Sequence, residues 1–198
     1  MEVEVEAKFL NIDADALRTK LTAGGAVRSQ SERLMRRLNF DYPDKRLEKV
    51  GGWVRLRDEG DKVTLAYKQM SDRSLHGTKE ISVVVAQFEQ TQRFLEAIGL
   101  TSFGWQESKR ESWNLGEVEV AIDTWPWILT FVELEGPNEQ SVMDAAVALG
   151  LPWDQALHGS VEIAYRGVYD VTDAEVYSCP EIKFGPVPAW LEAKRRQM

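Results

Sequence analysis

Met1-Glu-Val-Glu-Val-Glu-Ala-Lys-Phe9 alternates strictly between charged and apolar residues, which is the period of a β-strand. Glu2, Glu4, Glu6 and Lys8 fall on one face, and Val3, Val5, Ala7 and Phe9 on the other. A strand of an open sheet, with carboxylates in water and valines on a core, reads the same way. Like charges in a row repel, however, and cost free energy unless a cation stands opposite. The remaining strands decide between these readings by the charges they bring.

Working outward, Asp13 is a plausible N-cap for a helix carrying Leu17 and Leu21, ended by Gly24-Gly25. An extended pattern resumes at 26 to 30. A strand over 33 to 42 follows, placing Arg37, Asn39 and Asp41 on one face and Leu38, Phe40 and Tyr42 on the other. Residues 44 to 52 read as a charged loop with one helical turn. Trp53-Val-Arg-Leu-Arg57 is a strand with Arg55 and Arg57 on one face, and Asp58-Glu-Gly-Asp61 is a hairpin turn. The return strand over 62 to 69 faces Thr64, Ala66 and Lys68 one way. Residues 78 to 85 alternate Glu80 and Ser82 with Lys79, Ile81 and Val83. A helix over 87 to 98 presents Phe88, Thr91, Leu95 and Ile98 on one side.

Four strand segments come next: 104 to 108, 110 to 114, 117 to 123 and 129 to 136. Arg110 and Ser112 share a face, as do Glu117, Glu119, Ala121 and Asp123, and then Phe131, Glu133 and Glu135. Asn138 caps a helix to Leu149, and a short helix follows at 152 to 157. Residues 161 to 169 fit helix or strand. The tail holds a strand-like 181 to 184 and a terminal helix after Pro188, so residues 171 to 198 are expected as an extension packed on or beside a main domain of 1 to 170.

Composition narrows the class. A chain of 198 residues with 43% hydrophobic content fits one large domain, or one domain with an extension. The net charge of −8 argues against general nucleic-acid binding but not against a locally basic pocket. The single cysteine, Cys179, can form no internal disulfide, which fits a reducing compartment. No basic-apolar-small signal pattern opens the chain, and no apolar run is long enough to span a bilayer. A cytoplasmic protein with no nucleic-acid or membrane partner, monomeric or homodimeric, is expected.

About eight strands thus share an apolar face and a charged face, some carrying mainly carboxylates and others arginine and lysine. An α+β fold follows: a closed eight-stranded antiparallel β-barrel whose lumen holds both signs, with helices packed outside. In that lumen Lys8, Arg55, Arg57, Lys68 and Arg110 would form a cationic site suited to phosphate oxygens. Glu4, Glu6, Glu133 and Glu135 would form an acidic cluster suited to Mg²⁺ or Mn²⁺. A ligand needing both is a polyphosphate with its metal; an internal salt-bridge network without substrate is the plainer alternative.

These residues resemble the CYTH superfamily, the triphosphate tunnel metalloenzymes. The likeness rests on an ordered set: Glu4-x-Glu6-x-Lys8, Trp-Val-Arg55-Leu-Arg57, Thr-Leu-Ala-Tyr-Lys68, Lys-Glu80-Ile-Ser, Lys-Arg110-Glu-Ser-Trp, Ile-Asp123-Thr-Trp-Pro-Trp and Phe-Val-Glu133-Leu-Glu135-Gly. The resemblance implies that Lys8, Arg55, Arg57, Lys68 and Arg110 hold and activate a triphosphate, with Arg37 as a further contact. It implies that Glu4, Glu6, Glu133 and Glu135, helped by Asp123, hold the metals. It suggests Lys183 as a late lysine over the tunnel mouth. Three departures stand out: Arg37 where the family often has an acidic residue, Asn39 where a tyrosine is common, and Ser82 where a second glutamate is common. The His-Phe pair that precedes the first strand in class IV adenylyl cyclases has no counterpart, which lowers cyclisation of ATP to cyclic AMP beside triphosphate hydrolysis; a non-catalytic polyphosphate-binding module is the third reading.

Other motifs are left aside. His76 and His158 lack partners at ligand spacing and read as surface histidines. Cys179 has no basic neighbours in sequence and reads as inert. Gly51-Gly52 lacks the context of a phosphate loop. Lys194-Arg195-Arg196 reads as a solvated helix end.

Overall fold

The computed structural model describes residues 1–72 and 74–197, with Glu2 described in its backbone alone. The described residues form nine strands and six α-helices. The strands are β1 (Glu2–Phe9), β2 (Val27–Asp41), β3 (Gly52–Asp58), β4 (Val63–Met70), β5 (Thr78–Val85), β6 (Thr101–Leu115), β7 (Val118–Thr124), β8 (Phe131–Gly136) and β9 (Glu181–Ile182). The helices are α1 (Ala14–Ala23), α2 (Phe88–Ala97), α3 (Glu139–Ala148), α4 (Glu162–Val168), α5 (Asp173–Tyr177) and α6 (Ala189–Glu192). The sheet runs β2-β3-β4-β5-β1-β8-β7-β6, and β6 pairs back onto β2, so eight antiparallel strands close a ring. The expected α+β barrel with outer helices is the fold observed.

Period-two alternation does the sorting. Apolar residues of β1, β7 and β8 point outward and are covered by α1 and α3: Val5, Ala7, Val120, Ile122 and Leu134 pack with Leu17, Leu21, Val142 and Leu149. On the opposite side, Leu38, Phe40 and Leu56 pack under Phe88 and Leu95 of α2. Asp13 caps α1 by accepting from Asp15 and Ala16 N–H, and Asn138 caps α3 by accepting from Ser141 N–H. One outward carboxylate, Glu111 of β6, is buried yet satisfied. It accepts from the Trp113 indole at 2.7 Å and from Arg18 Nε of α1 at 3.0 Å, tying that helix to the wall.

The segments expected at 26 to 30 and 33 to 42 are one strand, β2, and those at 104 to 108 and 110 to 114 belong to one strand, β6. Register shifts along the β2–β6 pair explain the apparent breaks. Between Arg37 and Asn39, Leu38 alone opposes Gly104 and Trp105, with Gly104 at φ +67°. That left-handed backbone favours glycine, and the resulting bulge leaves Trp105 N–H free to donate to Pro180 O at 3.0 Å. The bulge thereby seats β9, which pairs parallel with Trp105 and Gln106.

The ambiguous stretch at 161 to 169 is helical, α4. Ala164, Tyr165 and Tyr169 fall on one side and pack with Trp125, Phe131, Val176, Ile182 and Leu191. Residues after 170 therefore share a core with the wall of the barrel. Helix α5 lay outside the sequence reading, although Thr172 and Glu175 form a capping box that marks its start. Asp41, expected on the lumen face, instead turns to the following loop. Its carboxylate accepts from Tyr42, Leu47 and Glu48 N–H, which satisfies a 3₁₀ turn at Glu48–Val50.

Candidate functional site

Charged side chains from all eight ring strands or their turns look inward, onto a cavity of about 1070 Å³ within the ring. Lys8 (β1), Arg37 (β2), Arg55 and Arg57 (β3), Lys68 (β4) and Arg110 (β6) line it, as do Glu4, Glu6, Asp123, Glu133 and Glu135. Of the side chains expected in the site, Lys183 alone is not in this lining. It pairs with Glu181 at 2.9 Å and lies 5.8 Å from the Trp105 ring, outside the tunnel. The strand positions that hold the others are fixed by register: Glu6 opposes Glu135, Lys8 opposes Glu133, Lys68 opposes Glu80, and Arg110 opposes Asp123.

Almost every cation is held by carboxylates. Lys8, 2% exposed, sits between Glu6 Oε1 at 2.8 Å and Glu133 Oε1 at 3.1 Å. Lys68 sits between Glu4 at 2.9 Å and Glu80 at 2.8 Å, with Arg55 reaching Glu80 at 3.4 Å. Arg110 donates from Nε to Asp123 Oδ1 at 2.8 Å and from Nη2 to Glu133. Arg57 donates to Glu59 Oε1 at 2.7 Å, where the Thr64 hydroxyl also donates at 2.8 Å. Glu59 and Glu80 were absent from the expected site. Glu59 sits in a hairpin turn that reads as solvent-facing, whereas it is 4% exposed beneath Arg57. Glu80 could have been found from its place opposite Lys68 on the neighbouring alternating strand.

Arg37 differs from the other cations. Among the described residues it makes no ion pair with a carboxylate; its guanidinium instead lies over the Trp125 ring at 4.1 Å.

Crowding of like charges shifts the acids apart. Burial pushes Glu4 up to about 7 against the pull of Lys68, with Glu80 beside it adding to the rise. Burial also raises Glu80, but Arg55 and Lys68 outweigh it and hold that carboxyl at about 2. The two therefore behave as a pair sharing one proton. Glu4 Oε2 is buried without a hydrogen-bond partner among the described residues. Burial raises Asp123 to about 6 despite Arg110. Burial works against Glu133 as well, yet Lys8 and Arg110 hold it well below the usual carboxylate range. Glu135 is pushed up by burial and by Glu6, Glu133 and Glu119.

These shifts set a pH dependence. A carboxyl with a raised folded pKa contributes its stability in full below its ordinary value, 4.5 for Glu4, and loses it as pH rises through about 7. Asp123 completes the same loss near pH 6. Without ligand or metal, the thermal midpoint is expected to fall from pH 6 to pH 7, and Glu4→Gln to flatten that fall. Identical slopes for both proteins over this interval, read by scanning calorimetry, would place the shared proton elsewhere.

The donor chemistry fits a hard divalent cation. Glu6, Glu135 and Glu119 are direct partners across β1, β8 and β7, all oxygen donors, and among the described residues no ion pair reaches Glu135 or Glu119. As the side chains stand, no three His, Cys, Asp or Glu among the described residues are close enough to hold a metal. Glu4, Glu133 and Asp123, expected as metal ligands, are engaged with Lys68, Lys8 and Arg110. Neither histidine lies among the lining residues. His76 is an exposed partner of Glu139 at 3.9 Å, and the His158 Nδ1 lies 3.1 Å from Glu6 O. Burial raises the Cys179 thiol, in keeping with an inert residue. No described helix is long and apolar enough to cross a membrane.

An eight-stranded tunnel lined by paired acids and bases defines the class of protein. The chain belongs to the CYTH domain family, whose model matches residues 2–155. Its fold is similar to that of an adenylate cyclase candidate from Vibrio parahaemolyticus (TM-score 0.72, 15% identity, covering 83% of this chain and 98% of that one). A Pyrococcus horikoshii protein is also similar (TM-score 0.65, 19% identity, 77% and 93% covered). So is an adenylyl cyclase candidate from Hippeastrum, described as having a dominant triphosphatase activity (TM-score 0.55, 14% identity, 92% and 98% covered). No curated protein matches the chain in sequence.

Proposed function

We propose that this chain is a metal-dependent hydrolase of a linear triphosphate, such as tripolyphosphate, thiamine triphosphate or a nucleoside triphosphate. The observation that carries this reading is the convergence of Lys8, Arg37, Arg55, Arg57, Lys68 and Arg110 on one cavity. Such a density of cations is costly to build for stability alone. Family membership and the activity named for the Hippeastrum relative support the reading.

In the reaction a water oxygen attacks the terminal phosphorus, the bridging P–O bond breaks, and orthophosphate leaves a shortened chain. The proton released goes to solvent or to the leaving oxygen. Guanidinium and ammonium groups fixed by their carboxylates need no reorganisation to stabilise charge on the phosphoryl oxygens. Arg55, Arg57 and Lys68 grip and align the chain from one wall, and Lys8 and Arg110 meet it from the other. Glu6, Glu135 and Glu119 would hold a divalent cation, which would supply further charge neutralisation and a more acidic water.

Incubation with tripolyphosphate, thiamine triphosphate or ATP, each with Mg²⁺ or Mn²⁺ and with chelator, tests this. Metal-dependent release of phosphate is expected, and Glu135→Gln should raise the metal concentration needed for half-maximal rate by about tenfold. Cyclic AMP with pyrophosphate would assign the chain to cyclisation. Binding without turnover would make it a polyphosphate-binding module.

A further inference from the structure

Two guanidinium groups lining the cavity, Arg33 and Arg37, have no carboxylate partner among the described residues; Arg33 donates to the Glu59 and Arg110 carbonyls, whereas the Arg37 guanidinium has no hydrogen bond there and lies on the Trp125 ring. Arg37 opposes Arg57 on β3 and Gln106 on β6, and its charged neighbours are Arg55, Arg57, Arg110 and Asp123. Arg110 already engages both Asp123 oxygens, so that carboxylate offers Arg37 little. A guanidinium does not shed its proton to escape such surroundings.

Its position is nevertheless fixed. The guanidinium lies on the Trp125 ring at 4.1 Å, and Trp125 is 4% exposed with the Tyr165 ring edge-on at 6.5 Å. Tyr165 is locked in turn by donating to Pro126 O at 2.9 Å. A preorganised cation that lines a cavity with its hydrogen bonds unspent is a receptor for an anion. Glu162 at the start of α4 and Tyr177 at the end of α5 also line the cavity. Tyr177 packs on Phe103 at 4.8 Å, and Phe103 opposes Asn39, two residues along β2 from Arg37, so protein of α5 stands just past Arg37 on that side.

We infer that Arg37, laid on the indole of Trp125, is an anion subsite that takes the free terminal phosphoryl group of a linear phosphate chain of three or more units. The inference rests on the triphosphate reading and narrows it, because a group esterified or closed into a ring at that end cannot present a terminal phosphoryl to Arg37. Specificity then comes from an arginine at a position where a carboxylate would repel the same group.

Tripolyphosphate and cyclic trimetaphosphate hold equal numbers of phosphorus atoms, but only the first has ends. In titration calorimetry with Mg²⁺, Arg37→Met is expected to weaken binding of tripolyphosphate at least about tenfold. Binding of trimetaphosphate should weaken by less than about threefold. Equal losses for both ligands, or no loss for either, overturn the inference and leave the triphosphate reading standing. Failure of the unaltered protein to bind either ligand overturns both. The ligand-free thermal midpoint supplies an independent reading. Removing a guanidinium that pairs with no carboxylate and stands among three other guanidinium groups should leave it unchanged or raise it. A lower midpoint makes Arg37 a structural residue and overturns the assignment.

Discussion

Replacing Arg110 with methionine is expected to lower the stability of the ligand-free protein by about 3–5 kcal/mol, the usual cost of removing one partner from a buried ion pair. Arg110 joins Asp123, 1% exposed, to Glu133, and no other described cation bonds Asp123. The opposing effect is relief of repulsion with Arg37 and Arg57. The pairs win that contest, because the carboxylates hold the Arg110 guanidinium well above its ordinary pKa despite burial. Urea unfolding of Arg110→Met, Asp123→Asn and the double variant forms a cycle in which the second change should recover part of the first loss. Additive effects, or a loss under about 1 kcal/mol for Arg110→Met, would show that the triad is not a stabilising unit.

Lys8→Met is expected to reduce turnover of tripolyphosphate by about 10²–10³-fold, the range for removing a preorganised charge from a transition-state site. Two carboxylates hold the ammonium, and Lys8 exchanges backbone hydrogen bonds with Leu157 at 2.8 and 2.9 Å, so both ends of the residue are fixed. Its carboxylate partners also push the ammonium pKa up against the pull of burial, which keeps it charged at any working pH. Rates should be expressed per folded molecule, since Glu6 and Glu133 lose a partner. A fall in kcat larger than any rise in KM is the expected signature. A rate within threefold of the unaltered protein would remove Lys8 from the reacting end of the cavity.

The parts of this molecule legible in sequence are those where side-chain alternation is unbroken. β1, β3, β4, β7 and β8 alternate apolar with polar or charged residues, so the ring, its lumen and nine of its charged side chains are legible there, and Arg37 of β2 and Arg110 of β6 add two more. Reading failed where periodicity is locally interrupted or where a partner is remote. Bulges hid the continuity of β2 and β6. Glu59 follows hairpin logic in sequence and lumen logic in space. Nothing near Arg37 in the chain announces Trp125, which lies at the end of another strand. The tail that carries Lys183 is seated by the Gly104 bulge along the outside of β6.

Every strand from β1 to β8 is flanked by a neighbour on each side. Releasing any one of them from the ring breaks the ladders on both its sides, whereas an edge strand of an open sheet gives up only one. Traffic must therefore pass through the mouths of a rigid hoop, and adaptation to different guests falls to rotation of lysine, arginine and glutamate side chains within a wall that does not yield. Mid-strand amides should accordingly exchange with deuterium only through global unfolding, with or without a guest inside.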